Sequence, residues 1–378
     1  MLSLKTKSEC TRNILVCVNV LSQLDYLYLI FNENPDYKFY VFIQNGFCLQ
    51  DFYNCRLAGL PNLIISSNPL ELFCIIENIG MVLTAGCVVS RHCMKALQLL
   101  VTCSELNIPI VEVQHSLFQH GMHYFVENKS YAETKSYETI NHNINIDHLT
   151  DDLLSFYPVT AEHRQGTVIG FPKYHLNDLL LSDYDAKYVL ILTDINFDLF
   201  SPEEFDIFLG CLIKTAVTHP NIQFLLKPSE NDADCFLNKT INLGSYENIT
   251  FVQSDPVLSL ISLDSLIKNS AKVVVSTASN VLLDCEAYRK DIAVFRSNSN
   301  ALLLNEINSC CTFGTPDELT VFVESKEHSP IETGKLIEFD NLKFREFIER
   351  SFKISKQPKG KILKEIVRFS ALFPQNIG

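Results

Sequence analysis

The chain has 378 residues, 47% of them hydrophobic, and a formal net charge of −13. That length suits two domains with ample cores. The acidic balance argues against a nucleic-acid binder, whose affinity rests on Lys and Arg neutralising phosphates. The 13 cysteines form no CxxC pair. Several of them (Cys17, Cys74, Cys211, Cys285) sit in apolar runs, so free thiols in a reducing cytosol are expected rather than a disulfide scaffold. The opening MLSLKTKSECTRN has no apolar signal core, and no apolar run reaches the ~18 residues of a spanning helix. The expected location is therefore cytoplasmic, in solution or against a membrane surface.

Short apolar, β-branched runs alternate with amphipathic stretches, the pattern of parallel sheets joined by crossover helices. The first half offers strands at 13–20, 37–44, 62–66, 81–85 and 108–114, each too short for a helix and without polar alternation. Asn68, Pro69 and Glu71 read as cap, first and third positions of a helix running to Asn78. A second helix covers 93–106, with Met94, Leu97, Leu100 and Val101 on one face. Residues 116–165 are polar, rich in His and Asn, and read as a long loop. GTVIGFP, 166–172, reads as the last strand of this half with a turn, Gly170 and Pro172 serving as hinge elements, and 173–186 as a linker.

The alternation then restarts. Strand 187–193 leads to a helix opened by Ser201, Pro202 and Glu204, a capping box with proline in its usual place. Phe205, Phe208, Leu209, Leu212, Ile213 and Ala216 line one face of that helix. Strands 222–226, 249–253, 272–276 and 291–295 follow, with helices 258–269 and 279–289 between them. The tail, 341–370, reads as helical and basic: Lys343 to Arg368 holds nine basic residues against three acidic ones, leaving −19 for the remainder. The expected domains are 1–175, 176–335 and a C-terminal basic segment, 336–378. Two doubly wound α/β halves facing across a cleft result, with ligands expected beyond the carboxyl ends of the strands.

Chemistry points first to 273–295, VVVSTASNVLLDCEAYRKDIAVF. A buried strand runs through Ser276, Thr277, Ala278, Ser279 and Asn280 directly into a helix. Hydroxyls and free backbone N–H groups there make an anion site, to which the helix dipole adds. Asp284, one turn on, is placed to accept hydrogen bonds from ribose hydroxyls; the alternative is a capped helix with an acid favouring its positive end. Lys227, near the end of a strand, suits a donor phosphate as a point charge or is an ordinary strand-end lysine. Thr193 and Asp194 close another strand in the same half. In the first half, His115 follows a central strand and suits a general base or a phosphate ligand, or is satisfied by loop backbone. Glu112 shares a strand face with Gln114. It can orient His115, act as base or nucleophile, or form a strand-end salt bridge. His120 and His123 lie nearby, but the three histidines have no metal-ligand spacing, and no metal is expected. Dinucleotide, Walker, HExxH and GxSxG signatures are all missing from the sequence.

Ser279-Asn280-Val281-Leu282-Leu283-Asp284 followed by Arg289-Lys290-Asp291-Ile292 resembles the donor-binding motif of GT-B glycosyltransferases. The likeness is to bacterial surface-polysaccharide transferases, including those using CMP-activated ulosonic acids, and to CDP-glycerol glycerophosphotransferases. IPIVEVQHSLFQHG (108–121), GTVIGFPKYH (166–175) and HPNIQFLLKPS (219–229) resemble further segments of that group, in its order. Ser116 replaces the glycine of the usual QHG, Ser229 follows Pro228 where a His-Pro pair is usual, and Asp291 replaces a proline. The resemblance implies a metal-independent glycosyltransferase in capsule or lipopolysaccharide synthesis, without a cofactor. A CMP-, CDP- or UDP-linked sugar would be bound by Lys227, Ser276, Thr277, Ser279, Asn280 and Asp284. A glycan or lipid-linked acceptor would be served by His115 and Glu112. Alternatives are a CDP-glycerol-type polyol-phosphate transferase, a non-catalytic assembly partner, and a sugar-nucleotide epimerase. Ile362, Leu363, Ile366 and Val367 beside Lys361, Lys364 and Arg368 form an amphipathic face that either packs back on the protein or lies on a membrane surface.

Overall fold

The computed structural model describes residues 12–45, 56–85, 94–114, 152–158, 166–176, 179, 188–193, 201–228, 246–297, 300, 304, 307 and 309–353. The chain divides into two compact units, Met1–His175 with Ile337–Gly378, and Leu176–Leu336. Each is built on one parallel sheet.

Unit 1 contains β1 (Asn13–Val18), β2 (Lys38–Ile43), β3 (Leu63–Ser66), β4 (Met81–Thr84), β5 (Ile110–Val113), β6 (Asp152–Ser155) and β7 (Thr167–Val168), in the order β3-β2-β1-β4-β5-β6-β7. Every neighbouring pair is parallel. Two short helices, α1 (Leu21–Asp25) and α2 (Tyr28–Asn32), follow β1. The helix expected after Asn68 is one turn shorter than its pattern. In α3 (Pro69–Phe73) the Asn68 side chain accepts the Leu70 N–H, and a separate 3-10 turn covers Ile76–Asn78. Leu97, Leu99 and Leu100 of α4 (Met94–Glu105) pack with Leu15, Val82 and Ile110 in one apolar cluster. β6 corrects the reading of 116–165 as loop throughout. It holds only two apolar residues, Leu153 and Leu154, both buried, too short a run to stand out from its polar surroundings.

Unit 2 contains β8 (Tyr188–Thr193), β9 (Gln223–Pro228), β10 (Ile249–Phe251), β11 (Lys272–Val275), β12 (Asp291–Phe295) and β13 (Cys311–Phe313), ordered β10-β9-β8-β11-β12-β13. These pairs are also parallel. Helix α5 (Pro202–Thr218) begins with the expected reciprocal cap between Ser201 and Glu204, and its buried Phe205, Phe208, Leu209 and Leu212 form one face. Phe208 packs edge-on against Phe295 at 5.4 Å, and Phe295 against Phe313 at 5.5 Å. Helices α6 (Leu263–Asn269), α7 (Val281–Ala287) and α8 (Pro316–Glu324) also belong to the unit. The last helix, α9 (Asn341–Lys353), belongs to unit 1. It buries Phe344, Phe347 and Ile348, and its bases meet acids of that unit: Arg345 with Asp36 at 2.6 Å, Arg350 with Asp152 at 3.2 Å. The apolar face expected at 362–367 lies outside the described residues. No helix among the described residues is long and apolar enough to cross a membrane.

The chain leaves unit 1 after His175 and re-enters it at Ile337, and the two passages are bonded to each other. Phe171 N–H donates to Ile337 O at 2.8 Å and Asp340 N–H to Ile169 O at 2.8 Å. Gly170 between them has φ +78°, and a Cβ there would lie 1.9 Å from Glu338 O. His175 bridges Glu33 at 2.5 Å and Glu338 at 3.2 Å. Burial pulls its pKa down, but the Glu338 hydrogen bond and the Glu33 charge outweigh that, and the net shift is upward.

Two predictions follow from this crossing. Gly170→Ala requires both a left-handed backbone and a displaced Glu338 carbonyl, and should cost about 3 kcal/mol or more, read as a lower midpoint in urea. A raised histidine pKa stabilises fully below its unfolded value and is lost as pH rises through the folded one. His175→Gln should thus lower Tm most near pH 6, by no more than about 1 kcal/mol for a half-exposed group, and the gap from wild type should close by pH 9.

Candidate functional site

In each sheet the strand order reverses beside the first strand, between β1 and β4 in unit 1 and between β8 and β11 in unit 2. Connections on the two sides of such a point run to opposite faces, which leaves the carboxyl ends of the two strands uncovered by a crossover. In unit 2 those ends are Thr193 and Val275. Ser276 continues the pairing, donating its N–H to Leu192 O at 3.1 Å. The turn from Ser276 to Asn280 therefore stands at the reversal point, as the sequence pattern expects of a ligand loop.

The turn is held from below by a residue that the sequence reading missed. Asn300 is fully buried. Its Oδ1 accepts the Ala278 N–H at 3.0 Å, and its Nδ2 donates to Ser276 O at 2.7 Å and to Phe295 O at 2.8 Å. Ser297 Oγ accepts the Asn300 N–H at 3.1 Å, which fixes the asparagine in turn. One amide thus ties the end of β12 to the turn after β11. It also occupies the Ala278 N–H, so that donor does not face a ligand. Nothing local flags Asn300 as a support of the turn, since its two partners there lie 22 and 24 residues away.

Exposure sorts the expected contacts. Thr277, Ser279 and Asn280 are partly exposed. Ser276 and Asp284 are both at 0%, so Asp284 does not share the open side of the turn with Ser279 and Asn280. The reason lies in α7 itself: Val281 to Cys285 are five consecutive buried residues, more than the 3.6 of one turn, which leaves the start of the helix no open face. Asp284 is not without a partner. Ser276 and Thr277 hydroxyls are 3.4 Å apart.

The end of α7 explains the rest of the motif. Lys290 N–H donates to Cys285 O at 2.8 Å and Arg289 N–H to Glu286 O at 3.0 Å, a Schellman closure with Arg289 left-handed at φ 51°. Lys290 Nζ donates to Ser270 O at 2.8 Å, and burial pulls its pKa down. Asp291, standing where the resembling enzymes have proline, accepts Ser329 N–H at 2.9 Å and pairs with His328 at 2.9 Å. These residues organise the strand and not the turn. Lys227 lies on β9 opposite Leu192 of β8. Two strand spacings, about 10 Å, separate its backbone from β11.

In unit 1, Glu112 sits on β5 between Thr84 of β4 and Leu153 of β6, 4% exposed. Gln114, with which it shares a face, is structural: its Oε1 accepts the Phe156 N–H at 2.8 Å. His115, His120, His123 and Asp194 lie outside the described residues.

Replacing Asn300 by Ala removes three hydrogen bonds and strands buried backbone groups, an expected loss of about 2–4 kcal/mol. Thermal unfolding of the variant measures it. Asn300→Asp turns a carboxylate oxygen toward two buried carbonyl oxygens and should cost at least as much as Ala.

No protein-family model matches the chain, and no curated protein sequence matches it. Solved structures do. The UDP-GlcNAc 2-epimerase of Methanocaldococcus jannaschii, in complex with UDP-GlcNAc and UDP, superposes with a TM-score of 0.59 at 14% identity, covering 89% of this chain and 98% of its own. S. aureus MnaA with UDP gives 0.56 at 12% identity over 92% and 99%. The Neisseria meningitidis UDP-GlcNAc 2-epimerase bound to UDP-GlcNAc gives 0.51 at 11% over 94% and 98%. The chain thus has the GT-B-type fold, two Rossmann-like parallel-sheet units.

Proposed function

We propose that the chain acts on a nucleotide-activated sugar, and that its reaction is glycosyl transfer to an acceptor hydroxyl. The observation that carries this reading is the placement of the Ser276–Asn280 turn at the strand-order reversal of unit 2, in a fold shared with structures holding UDP or UDP-GlcNAc. Thr277, Ser279 and Asn280 are the groups that would meet the donor's phosphates and ribose, with the buried Asn300 and Ser276 fixing them. Lys227 would add a positive charge at a longer reach. Glu112, and His115 beyond it in the chain, would take the acceptor proton as the bond from the anomeric carbon to the nucleotide phosphate breaks; the bonding electrons leave with the phosphate. The acceptor would be a glycan or a lipid-linked glycan, as the resemblance to surface-polysaccharide transferases implies.

A second reading is epimerisation of a UDP-sugar, favoured because the superposing structures named above include two UDP-GlcNAc 2-epimerases. The two differ in one outcome: an epimerase turns over without an acceptor.

A thermal-shift panel of CMP, CDP, UDP and GDP tests the shared premise. A nucleotide at 100 times its Kd should stabilise by about 2.7 kcal/mol, a rise of several degrees. If none of the four shifts Tm, the nucleotide reading is wrong. With the favoured nucleotide, Thr277→Val and Ser279→Ala should each weaken binding about tenfold, at the cost of a charge-assisted hydrogen bond, while Tm without ligand stays put. Incubating the matching nucleotide-sugar alone then separates the two reactions, since an altered sugar nucleotide without acceptor points to epimerisation.

A further inference from the structure

Helix α5 buries one side in the unit 2 core and shows solvent a line of residues unlike an ordinary solvated face. Glu203, Ile207, Gly210, Lys214 and Val217 are all exposed, and spacings of four and three residues set them in one row along the helix. Ile207 is 51% exposed and Val217 58%. Helix α8 lies alongside, with Thr215 Oγ1 3.4 Å from Thr320 Oγ1 and Lys214 3.5 Å from Asp317, and it adds the exposed Val321. Outward positions on other helices are more polar. Helix α4 shows Lys95, Gln98 and Glu105, and α9, past Leu342, shows Lys343, Glu346, Glu349 and Arg350.

Gly210 stands at the middle of the row. A glycine inside a helix is less stable there than alanine. Gly210 has ordinary helical backbone, and a Cβ would meet no atom of the described residues within 4 Å. The backbone and the packing of this chain would both accept a side chain. A missing Cβ at an open position instead lets another backbone come close from outside.

The charges say which backbone and in which direction. The first half of α5 carries Glu203, Glu204 and Asp206, and the second half carries Lys214. A second α5 laid antiparallel across Gly210 puts Asp206 of each copy opposite Lys214 of the other. Glu203 then lies one turn beyond, and Ile207 meets the aliphatic stem of that lysine. A parallel second copy would set acid on acid. The antiparallel match is the same read from either chain, as a closed twofold dimer requires. Lys214 touches Asp317 in its own chain, but the two side chains are 65% and 90% exposed, so the ammonium is open to a second acid.

We propose that the outward face of α5, flanked by Val321 of α8, is the contact surface for a second copy of this chain, the two helices crossing antiparallel at Gly210. One helix pair with its flanks lies near the lower end of specific interfaces, ~1,200 Å² in all. The dimer should therefore be weak, with a micromolar Kd, and weaker still in high salt. The inference uses nothing of the nucleotide-sugar reading and stands apart from it.

Sedimentation velocity of the full chain between ~1 and ~200 μM, around the expected Kd, in low and high salt, tests the contact. Wild type should pass from monomer to dimer over this range and shift toward monomer in high salt. Gly210→Gln fills the crossing point without adding apolar surface. It should raise Kd at least tenfold while Tm at low concentration holds or rises. Lys214→Glu and Asp206→Lys each oppose like charges across the twofold, and each alone should be monomeric. Mixed one to one, they restore both ion pairs, and a dimer should return. Wild type that stays monomeric at the highest concentration would overturn the proposal. So would a dimer that Gly210→Gln leaves intact, charge variants that dimerise alone, or a mixture that remains monomeric.

Discussion

The reversal of strand order in each sheet is the constraint on which the rest of this structure depends. A parallel ladder needs a crossover between successive strands, and each crossover covers a face. Where the order turns back beside β1 and again beside β8, successive connections part to opposite faces and the strand ends between them stay uncovered. The Ser276–Asn280 turn of unit 2 stands there, and in unit 1 the end of β4 at Thr84. The strand interiors behind these points are apolar, with Val273, Val274 and Val275 all at 1% exposure or below. The polar edge is therefore a consequence of position, where the apolar runs stop.

An uncovered turn has few contacts of its own and must be held from the protein side. In unit 2 that task falls to one amide. Asn300 reaches three backbone groups from two strand ends, and Ser297 fixes its own backbone. Buried amides satisfied on three sides are rigid, because each rotation breaks several bonds at once. The backbone of the turn is thereby held in one arrangement. In unit 1, Gln114 extends the β5 ladder through Leu154 O while its side chain takes the Phe156 N–H.

The legible parts of this chain were those whose signal is local. Ser201, Pro202 and Glu204 announce a helix start, and the structure forms that cap atom for atom. Runs such as KYVLILT or KVVVS are strands because nothing else buries so many β-branched side chains in so few residues. β6 escaped because Leu153 and Leu154 are its whole apolar content, and its identity comes from neighbours on β5 and β7 rather than from itself. β13 and α8 lie in a stretch, 296 to 340, where the sequence reading named no element before the tail; Thr315 and Glu318 do form a capping box there. At the turn, Ser276, Thr277, Ser279 and Asn280 stood out as a run of small polar residues between strand and helix, a pattern that an ordinary helix cap shares in part. Asn300 could not stand out, its partners at the turn being distant in sequence. Asp284 was placed on the open side by helical spacing alone, and spacing does not say that the first five residues of a seven-residue helix are all buried.

The same physics explains how the fold is shared at 14% identity or less while no sequence match survives. A strand buried on both faces asks only for β-branched or aliphatic bulk, and volume-conserving exchanges among Val, Ile and Leu cost little. Recognition through backbone amides and short hydroxyls is equally tolerant, since Ser, Thr and Asn offer similar groups at similar reach. The positions that resist exchange are those with a geometric demand, such as Gly170, where any side chain meets Glu338 O, and Asn300, where both ends of one amide are used. Such positions are scattered singly along the chain, too sparse to form a motif. What relates this protein to the superposing enzymes is thus the order in which its strands pair, and that order is written in no single segment of the sequence.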